Sequence, residues 1–231
     1  MFAIQQEPRR CLRLFGFLSV SVGLLLAADP SWKNKPIQNW TEEDARQILA
    51  RSPWSRSVAA AINPRQSEFE RREGGNMGQP HGVGYDGIDD KKTRPSSPRS
   101  LTLQIRWESA LPIRAAELKS RVVEPPTLEG DGYRIAVYGV PGANIQGDPK
   151  ILGDPLRKLA ALRREGKADV KPSRVEVFAR EDGLVIVYLF PLSAEISPKD
   201  GRIEFDAQIG RLAFAQSFDL SEMQFQGKLE L

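Results

Sequence analysis

Over residues 101–107 apolar and polar side chains alternate as Leu-Thr-Leu-Gln-Ile-Arg-Trp, the period of a strand with one buried face. Residues 174–180 repeat that period around Val175 and Val177. Residues 133–140 read as a further strand, closed by Pro141-Gly142. Residues 184–192 are almost wholly apolar, which predicts a central strand covered on both faces. Residues 201–209, 212–218 and 224–231 continue the series. Asp182-Gly183 predicts a hairpin whose two turn positions both take a positive φ, and Gly210-Arg211 a second hairpin of the Gly-X kind.

Three stretches have a helical period instead. Thr41 followed by Glu42, Glu43 and Asp44 is an N-cap with an acidic first turn. Ala45, Ile48 and Leu49 then share one face, and Pro53 stops the helix, so residues 42–51 are predicted helical, docked by that face and by Trp40 and Trp54. Residues 112–119 suit a short helix with proline in its first turn. The third has Asp154 as N-cap, Pro155 at the first position, an apolar face of Leu156, Leu159, Ala160 and Leu162, and Gly166 as its stop. Successive hairpins with helices laid on them predict an α+β fold: a mostly antiparallel sheet of about six strands with two or three short helices packed on it. The alternative is a β-sandwich with a helical excursion.

The N-terminus has no such alternation. Arg9, Arg10 and Arg13 precede an uncharged apolar run over residues 14–28 that ends in small residues, the pattern of a signal peptide. Positive charge stays on the cytoplasmic side while the apolar run enters the bilayer. The run is shorter than the roughly 20 residues of a spanning helix. Cleavage after Ala28 puts Leu26 where a small residue is preferred, so an uncleaved N-terminal anchor in the inner membrane is the alternative. Cys11 precedes the run, which excludes a lipid-anchored start, and Cys11, Leu12 and Arg13 fit a twin-arginine signal poorly. The chain thus divides into 1–28, a signal peptide or N-terminal anchor; 29–62, a Trp-rich helical lead-in; 63–99, a flexible linker or loop rich in glycine, proline, serine and charge; and 100–231, the strand-rich α+β domain.

That division changes what composition says. Removing 1–28 takes away three of 33 basic residues and one of 30 acidic residues, so the net charge falls from +3 to +1. Charge then gives no argument for nucleic acid. The single cysteine leaves as well, which excludes disulfides and cysteine metal sites. His81 is the one histidine, which excludes a histidine-based zinc site. Asp86, Asp89 and Asp90 do not have EF-hand spacing and read as a solvated acidic loop. A Ser-His-Asp triad would have to recruit His81 from the most glycine-rich stretch, and no G-x-S-x-G or S-x-x-K motif is present. Gly139-Val140-Pro141-Gly142 lacks the spacing of a phosphate loop. Gly147-Asp148-Pro149 recurs as Gly153-Asp154-Pro155, too few copies for a repeat. Arg157, Lys158, Arg163, Arg164 and Lys167 would make the third helix basic, a solvated face. Paired carboxylates could run glycoside chemistry, with Glu108, Glu124, Glu129, Asp131, Glu176, Glu195, Glu204 and Asp206 as candidates, but nothing in their spacing selects a pair. No catalytic, cofactor-binding or metal-binding residue is assigned, and no cofactor is implied.

Longer runs carry a resemblance. Trp40-Thr41-Glu42-Glu43-Asp44-Ala45, Ser52-Pro53-Trp54, Arg106-Trp107-Glu108-Ser109-Ala110-Leu111-Pro112-Ile113, Asp182-Gly183-Leu184-Val185-Ile186-Val187 and Gln226-Gly227-Lys228-Leu229-Glu230-Leu231 together resemble a group of uncharacterised secreted bacterial proteins with no assigned activity. The resemblance spans most of the chain after residue 28 and implies no site residues. The resulting expectation is a non-catalytic periplasmic, secreted or cell-envelope module. It acts through protein contacts with another envelope or secreted protein, and touches membrane only through residues 14–28 if these are retained. The alternatives are a small-molecule or glycan binding domain that uses tryptophan such as Trp107, and a secreted hydrolase with paired carboxylates.

Overall fold

A computed structural model describes residues 30–62, 100–120, 128–142 and 152–231. Residues 1–28, expected to direct export, residues 63–99, expected to form a linker and holding His81, Asp86, Asp89 and Asp90, and Glu124 and the first Gly-Asp-Pro lie outside the described residues. The compact unit is Ser31–Leu231.

The fold is α+β. Helix α1 (Glu42–Ala50) is followed by β1 (Ser55–Ile62), β2 (Ser100–Trp107), α2 (Leu111–Ser120), β3 (Tyr133–Val140), α3 (Gly153–Lys158), β4 (Ala160–Arg164), β5 (Arg174–Arg180), β6 (Gly183–Phe190), β7 (Arg202–Ile209) and β8 (Leu212–Asp219). A small hairpin of β9 (Gln224–Phe225) and β10 (Lys228–Leu229) ends the chain. One sheet of eight strands, not about six, runs in the order β4-β7-β8-β1-β2-β3-β6-β5, with every pair antiparallel.

The sheet is curled into a half-barrel. Strands β7 and β6 stand five places apart in the order, which would separate them by about 24 Å in a flat sheet. Yet Phe205 of β7 packs edge-on against Tyr188 and Phe190 of β6, with ring centroids 5.2 and 6.1 Å apart. Strand twist accumulated over eight strands folds one half over the other. The core fills the concave side. Trp107, Ile135 and Tyr188 lie in one row across β2, β3 and β6, and Phe218 of β8 meets Trp107 edge-on at 5.5 Å. The N-terminal segment joins this core: Trp32 contacts Trp40 and Trp54, Trp40 stacks edge-on against Phe225, and Trp54 Nε1 donates to the Glu230 carbonyl at 2.8 Å.

The two additional strands were hidden for different reasons. β1 is Ser-Arg-Ser-Val-Ala-Ala-Ala-Ile, whose three alanines have little strand preference. It forms because its place between β8 and β2 pairs it along its length with β2 and at Ala61 and Ile62 with β8. β4 falls in the second half of the predicted helix 154–166. The helix stops at Lys158, and Ala160–Arg164 pairs residue for residue with β7. The run Leu-Ala-Ala-Leu suits either period, so pairing decides it. Asp154 is therefore inside the short helix rather than its N-cap, which is Leu152.

Two turns also differ. Arg180 pairs with Gly183, so the loop is Glu181-Asp182, and only Gly183 takes a positive φ, +131°. Residues 224–231 are not one strand, because Gln226 and Gly227, both at positive φ, fold them into the β9–β10 hairpin. Strand β6 is covered on both faces as expected but is next to the edge rather than central. Its convex face is covered by a second apolar cluster of Leu128, Ala136, Tyr138, Val185, Val187 and Leu189.

Both sheet edges are blunted. Leu162 of β4 exchanges two backbone hydrogen bonds of 2.9 Å with Val170. On β5, the Val175 carbonyl lies so close to Gly153 that a Cβ there would come within 2.6 Å of it.

Candidate functional site

A buried group of charged side chains lies on the convex face, where Glu117 of α2 meets β2 and β3. Gln104 and Arg106 of β2 point outward, since Leu103, Ile105 and Trp107 take the inward positions. Arg106 faces Ala136 in the ladder, and Gln104 faces Tyr138. The open carbonyls at the C-terminus of α1 come down onto this face. Leu49 O accepts from Ser55 Oγ at 2.5 Å and from Arg106 Nε at 3.2 Å, and Ala50 O accepts from Gln104 Nε2 at 3.0 Å. Helix ends need such donors, and a guanidinium also suits the negative end of the dipole.

Above this floor sit two glutamates. Glu108 follows β2 directly, and Glu117 hangs from α2. Both are buried. The Tyr138 hydroxyl donates to Glu108 and lies 3.4 Å from Glu117 Oε1. Arg106 Nη1 is 3.9 Å from Glu117 Oε1, and its guanidinium stacks 4.3 Å from the centre of the Tyr138 ring, with Arg180 5.7 Å from the same ring.

Burial, the neighbouring Glu108 charge and a hydrogen bond to Glu108 push the Glu117 carboxyl from 4.5 up to about 9, against the opposing pull of Arg106 and Tyr138. Burial, then the charges of Glu108 and Glu117, push the Tyr138 phenol up as well. Glu117 is therefore a neutral acid at pH 7, and the two carboxyls are joined through its proton.

The native state holds the Glu117 proton more tightly than the unfolded chain, so the contribution of this group is fully present below pH 4.5 and is lost as pH rises toward 9. Each pH unit in that window costs about 1.4 kcal/mol. Glu117→Gln, neutral at every pH, is expected to be more stable than the wild type by about 2–3 kcal/mol at pH 7 and no more stable at pH 4. Urea unfolding at the two pH values checks this.

Of the candidate carboxylates among the described residues, only Glu108 joins this cluster. Glu129, Asp131 and Glu195 are exposed, and Glu176 lies on β5 beside Arg174. Glu204 and Asp206 flank Arg163 at 3.8 and 2.5 Å. The expected basic helix is dispersed: Arg157 and Lys158 stay on α3, while Arg164 and Lys167 converge on Asp200, Arg164 Nη1 at 3.9 Å. All four tryptophans are buried to within 2% of their surface, so none presents a face to a glycan. Among the described residues no group of three or more His, Cys, Asp or Glu side chains could hold a metal ion.

Sequence reading missed Glu117, although its signal was present. Ile113, Ala116, Glu117 and Ser120 lie at helical spacing and are all buried. The opposite face carries Leu111, Arg114 and Leu118, and Leu118 is 78% exposed. The helix is inverted at this point, with an acid turned in and a leucine turned out.

No family model, no curated protein and no solved structure matches this chain.

Proposed function

We propose that the chain is an exported, non-catalytic module that works through protein contacts, with the outer face of α2 as the contact surface. The observation that carries this reading is the outward placement of Leu111 and Leu118 on α2, a helix that buries Glu117. A surface helix normally turns its leucines inward, and departures from such local rules gather at functional sites. Leu118 and Leu111 are seven residues apart and so share a face, with Arg114 between them and Lys119 beside them. Such a surface fits a partner with an apolar groove and an acidic rim. Export is supported by the basic cluster and apolar run before residue 29.

A photo-reactive side chain at position 118, introduced in cells that export the protein, is expected to capture one partner, and the same group at exposed Ser217 of β8 is not. Leu118→Glu is expected to abolish the complex formed by the purified pair while changing stability by less than about 0.5 kcal/mol, as surface substitutions do. Undiminished binding by Leu118→Glu would overturn the reading.

A second reading has one observation behind it: two buried carboxyls, one of them a neutral acid at pH 7, is a pairing that general acid–base hydrolysis employs. Here both are engaged by Tyr138 and Arg106 beneath a helix. Glycosidase turnover by the wild type that Glu108→Gln eliminates would favour it over the first.

A further inference from the structure

We propose that the hydrogen-bonded Glu108–Glu117 pair is a proton-dependent latch that holds α2 on the sheet and releases it under alkaline conditions. This names the regulation of the α2 surface and rests on the proposed function for its consequence only, since release of the helix can be measured without a partner.

Glu117 is the charged side chain by which α2 reaches the convex face. It meets Glu108 from the turn after β2, Arg106 from β2 and Tyr138 from β3. Arg180 of β5 reaches the cluster through the Tyr138 ring, and α1 reaches it through the Leu49 carbonyl bound to Arg106.

With the proton in place, one carboxyl donates to the other and the pair carries a single charge, which Arg106 and the Tyr138 hydroxyl offset. Hydroxide removes that proton as water, leaving two buried carboxylates against one guanidinium. That guanidinium already serves the Leu49 carbonyl and stands 3.9 Å from Glu117. Like charges in a dry site separate or become hydrated. Glu108 is tied into the turn that closes β2, where Ala110 N–H bonds the Trp107 carbonyl, so the repulsion falls on α2, which Ile113, Ala115 and Ala116 otherwise hold in the core. Helix α2 is also short, and its outer face is exposed.

The test is amide hydrogen exchange of the full chain at pH 6, 8 and 10, corrected for intrinsic rates, with α2 peptides compared to those of β6 and β8. In the wild type, α2 protection is expected to lie below that of β6 and β8, to fall by up to about tenfold for each pH unit below the Glu117 transition and to level off above it. Glu117→Gln is expected to remove this pH dependence. Glu108→Gln, which deletes the like charge but leaves Glu117 buried, is expected to move the transition to lower pH. α2 protection that tracks β6 and β8 at every pH, or an unchanged α2 transition in both variants, would overturn the latch. Neither result depends on whether position 118 captures a partner, so the two ideas fail separately.

Discussion

Phe205→Ala is expected to lower stability by about 4 kcal/mol and the melting temperature by about 10 °C. A buried phenylalanine replaced by alanine loses its transfer energy and leaves a cavity. Phe205 is fully buried on β7 and packs edge-on against Tyr188, Phe190 and Phe214 at 5.2, 6.1 and 6.0 Å. Two of those rings belong to β6, five places away in the sheet. The ring thus joins the two halves of the curl, where no backbone ladder connects β7 to β6. Its cost should exceed that of Phe214→Ala, because Phe214 is on β8, the strand already paired with β7. Thermal melts of both variants check the magnitude and the order.

Asp44→Ala is expected to cost about 3–4 kcal/mol at pH 7, from a lost capping box and lost hydrogen bonds to a charged group. Asp44 is buried at the start of α1 and accepts from Ser31 Oγ at 2.5 Å, Lys35 Nζ at 2.9 Å, Thr41 N–H at 2.9 Å and Thr41 Oγ1 at 3.0 Å. The Ser31 and Thr41 hydrogen bonds, with Lys35, hold its carboxyl far below the usual carboxylate range, against burial. A depressed pKa contributes stability that is present above the unfolded value of 3.8 and lost as pH falls below it. The gap between wild type and Asp44→Ala should therefore narrow below pH 3.8. Denaturant unfolding from pH 7 to pH 3 measures it. The same carboxylate fastens the tryptophan segment, because Ser31 and Lys35 flank Trp32 on both sides.

The outline of the fold was legible where period and turn chemistry agree. Residues 101–107 alternate, and Thr41 is the N-cap with the acidic first turn that its sequence announces, to which the structure adds a capping box with Asp44. Sequence lost its grip where only long-range pairing decides. β1 is alanine-rich and becomes a strand because β8 and β2 stand on either side of it. Residues 160–164 could continue a helix and do not, because β7 offers them a ladder and Val170 closes their free side. The candidate site was half legible. Glu108 was among many equivalent acids, and only the tertiary contact with Tyr138 singles it out. Glu117 could have been found by carrying the spacing of Ile113 forward to Ala116, Glu117 and Ser120.

Curling of the sheet accounts for much of this. It places Trp107, Tyr188 and Phe205 in one interior, and on α2 it leaves Glu117 buried and Leu118 exposed. Aromatic side-chain NOEs in solution test the curl most directly. The fold predicts strong cross-peaks from the Phe205 ring to the Tyr188 ring and from the Phe218 ring to the Trp107 indole, at centroid separations of 5.2 and 5.5 Å. Phe205 cross-peaks confined to residues of β4 and β8, with none to Tyr188 or Phe190, would describe an open sheet and contradict it.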